Sequence, residues 1–201
     1  MSQRFADWLI AHGKTANEIS VAGLAFAVVA GACFVATAWA TASPWLWLLG
    51  ALLVQFRLLA NMLDGMVALA TETQSRLGEI FNEVPDRLAD IAVLVGLGYA
   101  HGGTPWLGWA AALAAVLTAY LRIAGVAAGA PADFRGPMAK PHRMFTVTAG
   151  AVLCAASAFT HHDYAGVVWG MGVPTLILIV IGAGSLVTAW RRGVRLFQVL
   201  R

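Results

Sequence analysis

The chain has 201 residues, 60% of them hydrophobic and only 11% charged, with a net charge of +3. Soluble globular domains carry roughly a quarter charged residues, so that class is excluded and the composition implies an all-α integral membrane protein. The bases form no run or stripe but sit at the ends of apolar segments, where anionic lipid headgroups meet them, which argues against a nucleic-acid partner.

In chain order, residues 2–13 set Phe5, Trp8 and Leu9 against Gln3, Arg4 and Asp7. That alternation predicts an interfacial amphipathic helix; a signal peptide would show a short apolar core and a small-residue cleavage site. Apolar segments follow at 19–40, 45–70, 85–102, 105–128, 144–160 and 166–190. Six spans of roughly 20 residues each leave room for one bundle and no second domain. The expected layout is an interfacial helix over 1–14, six transmembrane helices over 15–190 and a basic cytoplasmic tail over 191–201.

Six crossings place both termini on one side. All thirteen Lys and Arg residues fall on that side. Arg4, Lys14, Arg76, Arg135, Lys140, Arg143, Arg191, Arg192, Arg195 and Arg201 flank the spans, and Arg57, Arg87 and Arg122 lie within their ends. By the positive-inside rule both termini are cytoplasmic. Trp39, Trp45, Trp47, Trp106 and Trp109 gather at the uncharged ends as an aromatic belt. Cys33 and Cys154 fall inside apolar stretches and read as small packing residues, with no disulfide expected. His161, His162 and Asp163 read as loop residues far from the other polar groups.

Residues 57–90, RLLANMLDGMVALATETQSRLGEIFNEVPDRLAD, concentrate ionisable side chains at the inner ends of spans two and three. Such residues are costly in a membrane and mark a functional cavity. On helices, Arg57, Asn61, Asp64 and Ala68 share one face, and Asn82, Asp86 and Asp90 share another. Two oxygen-bearing faces opposed across a turn near 71–78 would form the cage that Mg²⁺, Mn²⁺ or Ca²⁺ prefers. Gly65 leaves backbone room for a bulky ligand. The plainer alternative makes Asp64 and Asp86 structural ion pairs with Arg57 and Arg87, and Asp90 either an assistant to Asp86 or a buried partner of Arg87.

This stretch resembles the CDP-alcohol phosphotransferase family, whose signature is D-x2-D-G-x2-A-R-x8-G-x3-D-x3-D. Asp64, Gly65, Ala68, Gly78 and Asp86 match at the right spacing, whereas Asn61, Leu69 and Asn82 stand where the signature has Asp, Arg and Asp. Thr15-Ala16-Asn17-Glu18-Ile19-Ser20 is similar to the family's T-P-N-x-I-T/S stretch, and Arg122 and Lys140 resemble its basic residues around the fourth span and the loop beyond.

The resemblance implies a homodimeric six-helix fold in the bacterial inner or plasma membrane, with its active site facing the cytoplasm. It also implies transfer of a phosphatidyl or phospho-alcohol group from a CDP-linked donor, such as CDP-diacylglycerol, to a small polar alcohol, with release of CMP. Carried across, Asp86 is the catalytic base, and Asp64, Asp86, Asn61 and Asn82 hold one or two Mg²⁺ or Mn²⁺ ions. Gly65, Ala68 and Gly78 line the nucleotide, and Arg57, Arg122 and Lys140 meet substrate phosphate. With two carboxylates replaced by Asn, metal affinity is expected to fall. The alternative is a catalytically impaired relative that binds lipid or nucleotide, or scaffolds a partner enzyme. The segment 133–143, with Arg135, Lys140, His142 and Arg143, reads either as a phosphate-binding mouth or as ordinary charge facing anionic lipid.

Overall fold

Inside lipid an open chain satisfies its backbone polar groups only as helix, and this chain complies. A computed structural model describes residues 2–39, 43–71, 76–160, 162 and 165–200, without the side chains of 2, 3, 76–79 and 82. Among them lie α1 (Ser2–Ala11), α2 (Ala16–Ala36), α3 (Pro44–Ala70), α4 (Arg76–Gly98), α5 (Pro105–Ala127), α6 (Lys140–Phe159) and α7 (Val173–Val199).

Helix starts follow local chemistry. A capping box opens α2: Thr15 Oγ1 accepts from the Glu18 amide at 3.3 Å and Glu18 Oε2 accepts from the Thr15 amide at 3.1 Å. Four other helices begin with a proline in the first turn, where its missing N–H is harmless.

α2 packs on α3 and α4, α3 on α6, α4 on α5, and α5 on α7. The closest crossing joins α2 to α4: a Cβ added at Gly96 would sit 2.5 Å from the Gly31 Cα. Around it Ala27, Ala30, Phe34, Val93, Leu94 and Leu97 form the buried core. In α1, Ala6 is buried against a second cluster with Ile19, Ala60, Leu63 and Val67, while Phe5 and Trp8 stay exposed.

The molecule is an integral membrane protein. Among the described residues four helices, α2, α3, α5 and α7, are long and apolar enough to cross a bilayer. α4 and α6 fall short of that mark because they carry the polar machinery: Glu83, Asp86, Arg87 and Asp90 on one, Lys140, His142 and Arg143 on the other.

Three expectations shift. α4 begins at Arg76, nine residues before the apolar segment, because its first turns are polar yet helical. The basic stretch after 190 is no separate tail: α7 continues to Val199, and Arg192 is buried. Trp47 is not in an aromatic belt. Two residues on from the exposed Trp45, it lies on the inner face of α3, fully buried, with its ring 5.6 Å from that of Phe34. Cys33 and Cys154 are buried free thiols; His161 and Asp163 lie outside the described residues.

Candidate active site

At one end of the bundle α2, α3, α4 and α6 bring six polar side chains together. Asp64 on α3 is 4% exposed, and its Oδ2 accepts a 2.6 Å hydrogen bond from the Ser20 hydroxyl on α2. Its Oδ1 is buried with no partner among the described residues. The capping box that starts α2 fixes where Ser20 falls, so the Thr15–Ser20 stretch has a second use: its last residue reaches the site. The sequence singled out the stretch without assigning Ser20 this role, because the contact spans 44 positions.

Asp86 on α4 is surrounded by donors. Arg57 Nη2 meets its Oδ1 at 2.6 Å, and Lys140 Nζ contacts its Oδ2. The Asn61 amide nitrogen reaches both oxygens at 3.2 and 3.3 Å, while the Asn61 carbonyl oxygen accepts from Lys140 Nζ at 2.7 Å. Arg57 is itself buried, and its Nε and Nη1 have no partner among the described residues. A narrow crevice runs between these groups, lined by Ser20, Arg57, Asn61, Asp64, Pro85 and Asp86. Pro85 lacks an N–H, so the carbonyl of Phe81 loses its helical donor one turn before Asp86.

The other sequence-derived positions divide. Beside Asp64, a Cβ at Gly65 would meet nothing within 4 Å, so no packing demands glycine there and the surface is open to a ligand. Ala68 is partly exposed on the same helix. Gly78 and Asn82 belong to α4 by backbone, but their surroundings lie outside the described residues. Arg122 turns to Glu83 Oε1 at 2.5 Å and lies 5.0 Å over the Phe134 ring. Arg87 pairs with Glu83 at 3.0 Å and stands 3.8 Å from Asp86.

The cations of 133–143 do not converge. Lys140 reaches Asp86 and Asn61; Arg143 turns inward to Asp90 at 2.7 Å and to the Met138 carbonyl at 2.9 Å; His142 and Arg135 stay exposed. Asp90 is therefore the partner of Arg143 and not of Arg87. Asp133 is held by Arg195 at 2.9 Å and Arg135 at 3.1 Å. Its partial burial works to raise its carboxyl pKa, but the bonds from Arg195 and from the Arg135 amide and guanidinium outweigh this and hold it at about 2. Arg192 donates to the carbonyls of Thr118 and Arg135 at 2.7 and 3.1 Å, clamping the loop before α6.

Among the described residues no three His, Cys, Asp or Glu side chains gather as a cage for an ion. The uncommitted carboxylate oxygen in the crevice is Asp64 Oδ1. That fits one hard divalent ion bringing most of its ligands with it, as Mg²⁺ does when bound through one or two carboxylates plus substrate phosphates. It does not fit a protein-built cage for two.

Among the described residues the membrane bundle is helical throughout its named elements and carries a carboxylate–cation crevice at one end. The family model for CDP-alcohol phosphatidyltransferase matches residues 15–190, and the chain belongs to that family of transferases of substituted phosphate groups. It is 28% identical over 198 residues to a phosphatidylinositol phosphate synthase of Mycobacteroides abscessus, covering 93% of this chain and 79% of that protein. Over 86 residues it is 40% identical to the inner membrane protein YnbA of Escherichia coli strain K12, a match spanning 43% of this chain and 41% of YnbA.

Crystal structures of the Mycobacterium tuberculosis phosphatidylinositol phosphate synthase share the fold. The one with CDP-DAG bound superposes with a TM-score of 0.77 at 20% identity, covering 98% of this chain and 94% of that one. The one in complex with manganese and citrate gives 0.77 at 20%, covering 98% and 89%.

Proposed function

We propose that this chain transfers a phosphatidyl group from CDP-diacylglycerol, or another CDP-linked lipid, to a small polar alcohol at the Asp64–Asp86 crevice, releasing CMP. The observation that carries the reading is the pairing of uncommitted groups: a buried carboxylate oxygen on Asp64 faces a crevice that also holds two partnerless donors of Arg57. A pyrophosphate with a divalent ion would satisfy both sets at once.

Asp86 takes the proton of the acceptor hydroxyl. The alcohol oxygen then forms its bond to the lipid-side phosphorus of the donor, and the bond to the CMP oxygen breaks, so CMP leaves with the electron pair. Arg57 and Lys140 give hydrogen bonds to the phosphates and orient them. An Mg²⁺ or Mn²⁺ ion held by Asp64 would neutralise the pyrophosphate and the departing CMP. Gly65, with open space beside it, admits the nucleotide, and the family signature assigns Ala68 and Gly78 to the same nucleotide site. Arg122, paired with Glu83 at the rim, meets an incoming acidic group.

In this reading 1–201 is a single domain. α2 to α7 make six crossings and α1 lies in the interface, its exposed Phe5 and Trp8 toward lipid. The one-sided placement of all thirteen Lys and Arg supports cytoplasmic termini, a cytoplasmic site and a bacterial inner or plasma membrane setting. A homodimer follows the family pattern.

The test uses the full chain in detergent with CDP-diacylglycerol, Mg²⁺ or Mn²⁺, and a panel of alcohols: glycerol 3-phosphate, inositol, inositol phosphate, serine and a lipid alcohol. The expected result is CMP release that depends on one of them. No CMP under any condition, with nucleotide binding retained, contradicts the reading in favour of a binding-only relative.

A further inference from the structure

The two acidic residues of the crevice are not equivalent. Among the described residues Asp64 has a hydroxyl on one oxygen and no partner on the other, whereas both oxygens of Asp86 are taken by Arg57, Lys140 and Asn61. The Asn61 side-chain oxygen, the remaining described oxygen near them, is taken by Lys140. From these contacts we infer that Lys140 is a resident cation, occupying oxygens of Asp86 and Asn61 that a second divalent ion would need, so that the protein works with a single exchangeable metal ion. The inference deepens the transferase reading and rests on it.

Three observations support it. Lys140 opens α6, and its side chain is only 16% exposed, so the ammonium is held on Asp86 and Asn61 and away from solvent. Positive charge already stands at Asp86 without metal: Arg57 and Lys140 contact its two oxygens, and Arg87 stands 3.8 Å away. One divalent ion supplies the excess positive charge that a pyrophosphate needs; a second would meet an ammonium already bound to its would-be ligands, at a repulsion that a half-buried site screens poorly.

The donor count also fits. An ammonium has three N–H bonds; Asn61 and Asp86 accept two, leaving one for a phosphate oxygen beside the free Nε and Nη1 of Arg57. Lys140 thus does fixed electrostatic work that an exchangeable ion would do, and Asn61 suits it better than Asp would, because an amide both accepts from Lys140 and donates to Asp86.

Metal stoichiometry tests this without reference to turnover. Mn²⁺ is titrated into the full chain in detergent with saturating CDP-diacylglycerol, and bound ion is counted by electron paramagnetic resonance and elemental analysis. Wild type is expected to hold one Mn²⁺ per chain. Asn61→Asp, which adds a carboxylate but keeps the ammonium, is expected to stay at one, and the double variant Asn61→Asp/Lys140→Met to rise to two. Two ions or none in wild type, or two in Asn61→Asp alone, overturns the inference. The wild-type count stands even if a variant fails to fold. Two ions in a protein that releases CMP would sink the inference and leave the transferase reading intact, whereas a single ion with no CMP under any acceptor would do the reverse.

Discussion

Asp86 and Asp90 lie one helical turn apart on the same face of α4, and their surroundings give them opposite uses. Asp86 is 15% exposed and shared among Arg57, Lys140 and Asn61 at the edge of a crevice. Asp90 is 1% exposed, with the equally buried Arg143 as its partner at 2.7 Å. A shared carboxylate with access to the crevice can exchange partners when a substrate arrives. A sealed pair cannot, and its work is to tie α4 to α6 and, through the Met138 carbonyl, to the loop before it. The contrast shows that one turn of depth separates chemistry from scaffold.

The largest effect that would sharpen the contrast belongs to Asp86→Asn. Loss of a positioned base costs about 10²- to 10⁴-fold in rate, read as CMP release, with donor binding retained. Next comes Asp90→Asn, which strands Arg143 in the interior. Breaking one side of a buried pair costs about 3–5 kcal/mol, measured by thermal unfolding in detergent. Replacing the pair together, as Asp90→Leu/Arg143→Met, should recover most of that loss; a double variant as unstable as the single one would break the scaffold half of the comparison.

Two glycines extend it. Gly96→Ala pushes a Cβ onto the Gly31 backbone and should destabilise by about 1–3 kcal/mol. Gly65→Ala meets open space in mid-helix and should stabilise by roughly 0.5–1 kcal/mol, while raising the KM for the CDP-linked donor. A Gly65→Ala protein with unchanged KM would remove Gly65 from the donor site.

The smallest effect is at Asp133. Its loop is already clamped by Arg192, so Asp133→Asn should cost about 1 kcal/mol or less. Because its folded pKa is depressed to about 2, the wild-type advantage is present above the ordinary carboxylate pKa of roughly 4 and fades as pH falls toward 2. Unfolding temperatures of the two proteins, compared across that window, check the sign.

Much of this was legible in the sequence, for physical reasons that differ by element. The positions of α2, α3, α5 and α6 follow from apolar run length, and α3 and α5 start at or within a residue of the apolar segments because Pro44 and Pro105 mark their first turns. Asp64 and Asp86 stand out because charge in lipid is costly. What the sequence hid is partnership across distance. Arg143 finds Asp90 over 53 positions and Lys140 finds Asn61 over 79, and no local spacing encodes either contact. Basic residues at a membrane mouth look alike in sequence; only packing separates Lys140, which reaches Asp86 and Asn61, from Arg143, which seals the core, and Arg135, which faces water. Trp47 departs from the belt expectation for the same reason, since an aromatic near a span end belongs to the interface or the core according to the face it occupies.

The most direct test is CMP release per folded molecule, measured for Asp86→Asn and Asp90→Asn side by side at a temperature where both remain folded. Asp90→Asn is expected to keep activity within a few-fold of wild type and to exceed Asp86→Asn by about 100-fold or more. Equal rates from the two variants, or an Asp86→Asn protein that turns over like wild type, would contradict the assignment of Asp86 to the chemistry and Asp90 to the scaffold.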